Sequence, residues 1–178
     1  WWSGKLIILG GSSGALVAER VAALTPEATH LIIMGFGSRW FEDDLIPSIK
    51  DSIKRSAAPL AAQDEIISSI LETIDQAKRT KSIDQYMSGH SYAYWAELLE
   101  VDQLVLLKNI RVPVLALHGG RDGAASASGA AALASAIKSM NNEITFILYE
   151  DLDHGFKDSA GQSMDTKVIA DIRVWLGE

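Results

Sequence analysis

Four short apolar runs punctuate the chain, at 6–9, 31–34, 112–117 and 144–148, the last broken only by Thr145. An unbroken apolar run, as opposed to an alternating one, predicts a strand buried on both faces. Between the runs the apolar spacing changes to three and four residues. Leu16, Val17, Val21 and Leu24 predict a helix over 14–24, closing near Thr25-Pro26 because the residue before a proline is pushed out of the helical region. The stretch 37–111 is far too long for a connecting loop and must carry structure of its own. Within it Ile66, Ile67, Ile70, Leu71 and Ile74 predict an amphipathic helix, and 41–54 and 92–99 are helical in pattern. An alanine-rich helix is expected over 124–140, and Val168, Ile169, Ile172 and Trp175 predict a closing one. Buried strands separated by helices give an α/β class, a mostly parallel sheet flanked by helices. The core is expected to comprise 1–36 and 109–178, with 37–108 as a helical insertion over one end of the sheet.

Composition narrows the class. The chain has 178 residues, 48% of them hydrophobic, enough for one core with an insertion. A formal net charge of −7 and scattered basic residues argue against a nucleic-acid binder, since phosphate binding needs clustered Lys and Arg. With no cysteine, disulfides and Cys-based metal sites are excluded, and the redox compartment stays open. No apolar run approaches the roughly 18 residues of a membrane span, and no basic-then-apolar signal opens the chain, so a soluble protein is expected, with the cytoplasm favoured. Trp1-Trp2 is not a translation start. The expectation is a lost natural N-terminus or numbering from within a longer product.

The candidate chemistry lies at the ends of the apolar runs. After the first comes Gly10-Gly11-Ser12-Ser13-Gly14, which fits G-x-S-x-G with a strand before it and a helix after it. The glycines have a steric reason: around a strained serine, side chains two positions to either side would collide across the turn. Gly10 and Gly14 meet that need for Ser12. The alternative register, on Ser13, would put Gly11 and Ala15 there and fits less well. A plain glycine-rich turn or a phosphate cradle is the competing reading, but neither the P-loop Lys-Ser/Thr pair nor G-x-G-x-x-G spacing is present.

This segment resembles the nucleophile elbow of the serine α/β-hydrolase superfamily. The remaining motifs follow that family's order: "VPVLALHGGRDG" resembles its acid loop and "LDHGF" its histidine loop. The resemblance implies a partial α/β-hydrolase fold with a helical cap. It also implies a catalytic set of Ser12, Asp122 and His154, with the backbone N–H of Ser13 stabilising the oxyanion. The implied reaction is cleavage of a small-molecule carboxylic ester, thioester or related acyl bond through an acyl-enzyme, with no cofactor and no metal. A serine at the elbow disfavours the dehalogenase and epoxide-hydrolase branches, which carry an aspartate there.

The resemblance covers only the C-terminal portion of the family's domain, which ordinarily has four strands before the elbow strand. The strand between Lys5 and Leu9 is therefore expected to be an apolar edge, covered by a complementing N-terminal segment or by a second copy in a homodimer. The alternative function is a truncated, non-catalytic module that binds or assembles through that edge. Other residues have plainer expectations. His118 is structural in the acid loop, His30 lies on the surface, and His90 is a partly exposed cap residue. Tyr86, Tyr92, Tyr94 and Trp95 pack the cap together, the alternative being an aromatic wall over Ser12. Asp151 and Asp153 are reserve partners for His154. Glu42, Asp43 and Asp44 lack a convergent histidine and read as helix-start charges, not a metal site.

Overall fold

The computed structural model describes residues 4–140 and 143–178, so Trp1-Trp2 lies outside the described residues. In chain order the elements are β1 (Ile7–Gly11), α1 (Ser13–Leu24), β2 (His30–Met34), α2 (Phe41–Arg55), α3 (Leu60–Thr80), β3 (Tyr86–Met87), β4 (His90–Ser91), α4 (Tyr92–Leu99), α5 (Gln103–Leu107), β5 (Val114–Gly119), α6 (Ala127–Ser139), β6 (Ile144–Tyr149) and α7 (Asp165–Leu176). They divide into two compact units, one of 1–39 with 103–178 and one of 40–102.

The first unit is a four-stranded, wholly parallel sheet in the order β1-β2-β5-β6. Strand alternation splits its core in two. One face turns Leu31, Ile33, Val114 and Ala116 toward Ala15, Ala18 and Ala22 of α1 and Ala130, Leu133 and Ile137 of α6. The other turns Ile32, Leu115 and Leu117 toward Val168 and Ile172 of α7. Alanine on the buried side of α1 and α6 leaves little between helix and sheet, so these helices pack close to the strands they follow.

Two expectations change here. The four apolar runs are not equally buried: all six residues of β5 are buried, whereas β1 and β6 are edge strands and Leu9 is 56% exposed. A run of similar composition occupies a central or an edge position according to sheet order, which composition does not encode. The alanine-rich helix begins at Ala127, not 124, because Ser126 caps it through Gly129 N–H at 3.0 Å while the amides of Ala124 and Ala125 are already taken by Asp122.

The second unit joins α2, α3 and α4 with the two-residue hairpin β3-β4. Its first turn carries Glu42, Asp43 and Asp44 at the positive end of α2, and Glu42 pairs with Lys78 at 2.7 Å. Leu45, Ile49, Ile70, Met87 and Trp95 line a half-open apolar cavity of about 280 Å³. The hairpin and the five-residue α5 are too short to leave a periodic trace in the sequence. No helix among the described residues is long and apolar enough to cross a membrane.

Candidate active site

Ser12 stands between β1 and α1 at φ 53, ψ −131, a conformation that a residue with a side chain seldom adopts. The backbone holds it there from both sides. Its amide donates to the Met34 carbonyl at 2.8 Å, and its carbonyl accepts from Ala15 N–H at 2.9 Å. At Gly10 a Cβ would collide with the Gly14 carbonyl and approach Ala18 Cβ to 2.6 Å, so this position admits no side chain. Gly14 is different: a Cβ there meets nothing within 4 Å. The expectation of crowding on both sides of the serine is therefore corrected. The turn closes by bringing the Gly14 backbone against Gly10, and only the upstream glycine is needed for space.

As the N-cap of α1, a serine ordinarily turns its hydroxyl to an amide of the first helical turn. Ser12 makes no such capping bond, and its Oγ lies 3.1 Å from Nε2 of His154. The helix start is thus left with unspent donors. Ser13 opens α1, so its N–H has no acceptor within the helix and sits at the positive end of the helix dipole.

Asp122 and His154 come from the loops after β5 and β6. These loops interlock backbone to backbone: a Cβ at Gly119 would strike the carbonyls of Asp153 and Leu152, and one at Gly120 would lie 2.5 Å from the Glu150 carbonyl. Across the joint, Gly120 N–H donates to the Tyr149 carbonyl and Arg121 N–H to that of Leu152, each at 2.8 Å. Asp122 Oδ1 accepts the amides of Ala124 and Ala125 at 2.8 and 2.9 Å, which fixes the carboxylate plane. Oδ2 accepts from His154 Nδ1 at 2.7 Å. With the Nδ1 proton directed at the carboxylate, the lone pair of Nε2 faces the Ser12 hydroxyl. Gly35, at φ 56, brings its backbone close under the imidazole, where a Cβ would sit 3.2 Å from Cε1 of the ring.

The charges follow this geometry. Hydrogen bonding to Asp122 raises the His154 imidazole above its ordinary value, outweighing burial, which acts the other way. For Asp122 burial is the largest single influence and pushes the carboxyl up. The donors from His154, Ala125 and Ala124 together overcome it and hold the group below the usual carboxylate range. The pair therefore combines an ionised acid with an imidazole of enhanced basicity.

The reserve acids serve other purposes. Asp153 Oδ1 accepts from the amides of Gly155 and Lys157, both at 2.9 Å, and so shapes the histidine loop. Asp151 offers its carbonyl to Arg121 at 3.2 Å. His30 is half-buried against the edge of Trp175, not on the open surface. In the second unit His90 is exposed and stacks on Tyr94, with ring centroids 4.2 Å apart, and both meet Trp95 edge-on. Tyr92 is buried and Tyr86 exposed. Among the described residues no group of three or more potential ligands could hold a metal ion. Sequence reasoning passed over Gly35 and the close approach at Gly119 and Gly120, although "MGFG" and "HGG" at strand ends were the available signal. It also passed over Glu19, a carboxyl with no exposure and no hydrogen-bond partner for either oxygen.

Comparison with known proteins bears on the family and the fold. Esterase EstD of Thermotoga maritima is 22% identical over 183 residues, covering 97% of this chain and 42% of that protein. Among solved structures, the Pyrococcus furiosus esterase Pf2001 aligns with a TM-score of 0.62 at 15% identity, over 98% of this chain and 54% of its own. The esterase domain of a Rhodothermus marinus protein aligns with a TM-score of 0.53 at 16% identity, over 94% of this chain and 60% of its own. At such identities the structural likeness establishes the α/β-hydrolase fold, and the chain spans about two-fifths of the length of the curated relative it matches. A serine at a strained strand-to-helix turn, with an acid and a histidine on two later loops, lies within this common fold, and the Dienelactone hydrolase family model matches residues 73–176, more than half of the chain. The chain belongs to the dienelactone hydrolase family.

Proposed function

We propose that the chain carries the catalytic centre of an acyl hydrolase with Ser12 as nucleophile, His154 as general base and acid, and Asp122 as the group that orients and stabilises the imidazolium. The observation that carries this reading is the continuous relay from Ser12 Oγ to His154 Nε2 at 3.1 Å and from His154 Nδ1 to Asp122 Oδ2 at 2.7 Å. In the first step Oγ attacks the carbonyl carbon of an ester or thioester while Nε2 takes the hydroxyl proton. The oxyanion that forms is held by the Ser13 amide at the start of α1. Collapse of the tetrahedral species returns the proton from Nε2 to the leaving oxygen or sulfur and leaves an acyl-Ser12. Water, deprotonated by the same nitrogen, then releases the acid and restores the hydroxyl. The inserted unit is given the role of a cap in this reading.

A second reading is favoured by one specific feature. Val17, Val21 and Leu24 form an exposed apolar stripe on α1, which follows the edge strand β1 with its exposed Leu9 and, just before the strand, Leu6. This band suits a module that pairs through its sheet edge, either with a second copy of the chain or with a further segment of polypeptide. Intact-mass detection of labelling by a small fluorophosphonate separates the two. Labelling of the folded chain, lost in Ser12→Ala and after heat denaturation, is the expected result. A well-folded sample that takes no label would leave the binding module as the surviving reading.

A further inference from the structure

His118 occupies the penultimate position of the central strand β5, and its side chain has no solvent exposure. A buried imidazole ordinarily finds a hydrogen bond for its nitrogens, and here neither Nδ1 nor Nε2 completes one. Its surroundings explain why it is nevertheless kept. The ring lies edge-on to Phe36, with centroids 5.9 Å apart, and Nε2 stands 3.6 Å from Oδ2 of Asp122. That oxygen is the one that accepts from His154. Two histidines therefore address one carboxylate oxygen from two sides.

Acceptors stand about the ring, namely the Asp122 carboxylate and the carbonyls of Ala125 and Phe36, with His154 and Asp153 the further titratable groups around the pair. Burial, outweighing the pull of the Asp122 charge, lowers the proton affinity of His118 and favours the neutral ring. A neutral imidazole has a single N–H, and in a buried setting the carboxylate decides where it goes. With the proton on Nε2 the N–H dipole points at the anion. On Nδ1 it would instead leave a lone pair facing that anion at 3.6 Å. A separation beyond about 3.2 Å is longer than an ordinary N–H···O bond, but contacts of a catalytic site are often long before substrate binds.

We infer that His118 is a positioning residue of the relay: its Nε2–H draws on Asp122 Oδ2 opposite His154, holds the carboxylate in place and moderates its pull on the His154 imidazole. The inference rests on the hydrolase reading for its consequence in catalysis, but not for its electrostatics. Without the His118 N–H, Oδ2 has His154 as its one side-chain donor and binds that imidazolium more strongly, so the His154 proton affinity rises.

The test uses the full chain. Long-range ¹H–¹⁵N spectra of the wild type at pH 8 are expected to show His118 as the neutral Nε2–H tautomer. An Nδ1–H tautomer overturns the proposal, and this reading needs no variant. The titration of His154 is then followed by NMR in the wild type, His118→Phe and His118→Gln. Phenylalanine keeps the ring against Phe36 and removes the N–H, whereas glutamine puts an N–H near the place of Nε2. A rise of about half a unit in His118→Phe, reversed in His118→Gln, is expected. Identical titrations in three folded proteins overturn it, and should His118→Phe not fold, the tautomer in the wild type decides. Where Ser12 reacts, the acid limb of kcat/KM moves with His154, and on that limb kcat/KM falls about threefold in His118→Phe. A wild type that takes no label at Ser12 defeats the hydrolase reading while leaving the titration result standing.

Discussion

The two sides of the candidate site are built on opposite plans. On the acid and histidine side, the fully buried β5 and its edge neighbour β6 deliver loops that interlock through their backbones, and the carboxylate of Asp122 is held by two amides as well as by His154. On the nucleophile side, the serine sits in a strained conformation on an edge strand, followed by a helix with an exposed apolar stripe and a buried carboxyl that has no partner. One half is over-determined, and the other spends stability to present a hydroxyl. The difference shows where a small change in sequence acts on chemistry and where it acts on the fold.

The sharpest way to break the comparison is Asp122→Asn. It preserves the shape of the over-determined half but presents an amide to His154, which favours the wrong tautomer. Turnover is expected to fall by about 10⁴-fold with little change in melting temperature. A variant retaining most of its rate would remove Asp122 from the mechanism. Next in size is Gly119→Ala, whose Cβ would drive into the Asp153 and Leu152 carbonyls. A loss of about 3 kcal/mol in denaturant unfolding is expected, with overpacking as the cause.

Glu19 sharpens the other half. Burial raises its carboxyl well above the ordinary value, so the native state holds a proton that the unfolded chain releases at lower pH. Native protons then outnumber unfolded ones across the interval between the two values, and stability falls as pH rises through it. Glu19→Gln removes that slope. It is expected to gain about 1–3 kcal/mol over the wild type at pH 8 and less at pH 5, measured by urea titration at both. A wild type whose stability does not fall between these pH values would show that the carboxyl has a partner in solution. The pH dependence of kcat/KM has the reverse sign. In the proposed mechanism His154 must be neutral to take the Ser12 proton, and Asp122 raises its proton affinity, so activity is expected to be lost as pH falls through a value above that of an ordinary histidine. The smallest effect belongs to Gly14→Ala. A Cβ there meets open space inside a helix, so stability rises by up to about 1 kcal/mol and labelling of Ser12 persists.

Much of this was legible in the sequence, for reasons specific to each residue. The four parallel strands follow from short apolar runs, and the bounds of α4, 92–99, match its pattern. The order of the elbow, acid-loop and histidine-loop motifs was readable because each ends a strand. What escaped was information that exists only between distant segments. Gly119 looks like any other strand-end glycine until the backbone of residues 152 and 153 is laid across it. The start of α6 is displaced because the Asp122 side chain claims the amides of Ala124 and Ala125. Glu19 reads as the polar position of an amphipathic helix, and its burial depends on what packs against that side.

The junction of the two units bears on how the chain folds. Strands β2 and β5 are neighbours in the sheet, yet the whole of 40–102 lies between them. Closing a loop of about 80 residues costs roughly 1.8 kcal/mol more in chain entropy than closing one of about ten. A bridge between Trp40 and Asp102, and a bond from Gln103 N–H to the Arg39 carbonyl at 3.0 Å, bring the two ends of the insertion together. An insertion that folds early therefore presents β2 and β5 to each other across a short effective loop. Refolding kinetics should then slow when α3 is weakened, even though no residue of α3 belongs to the sheet.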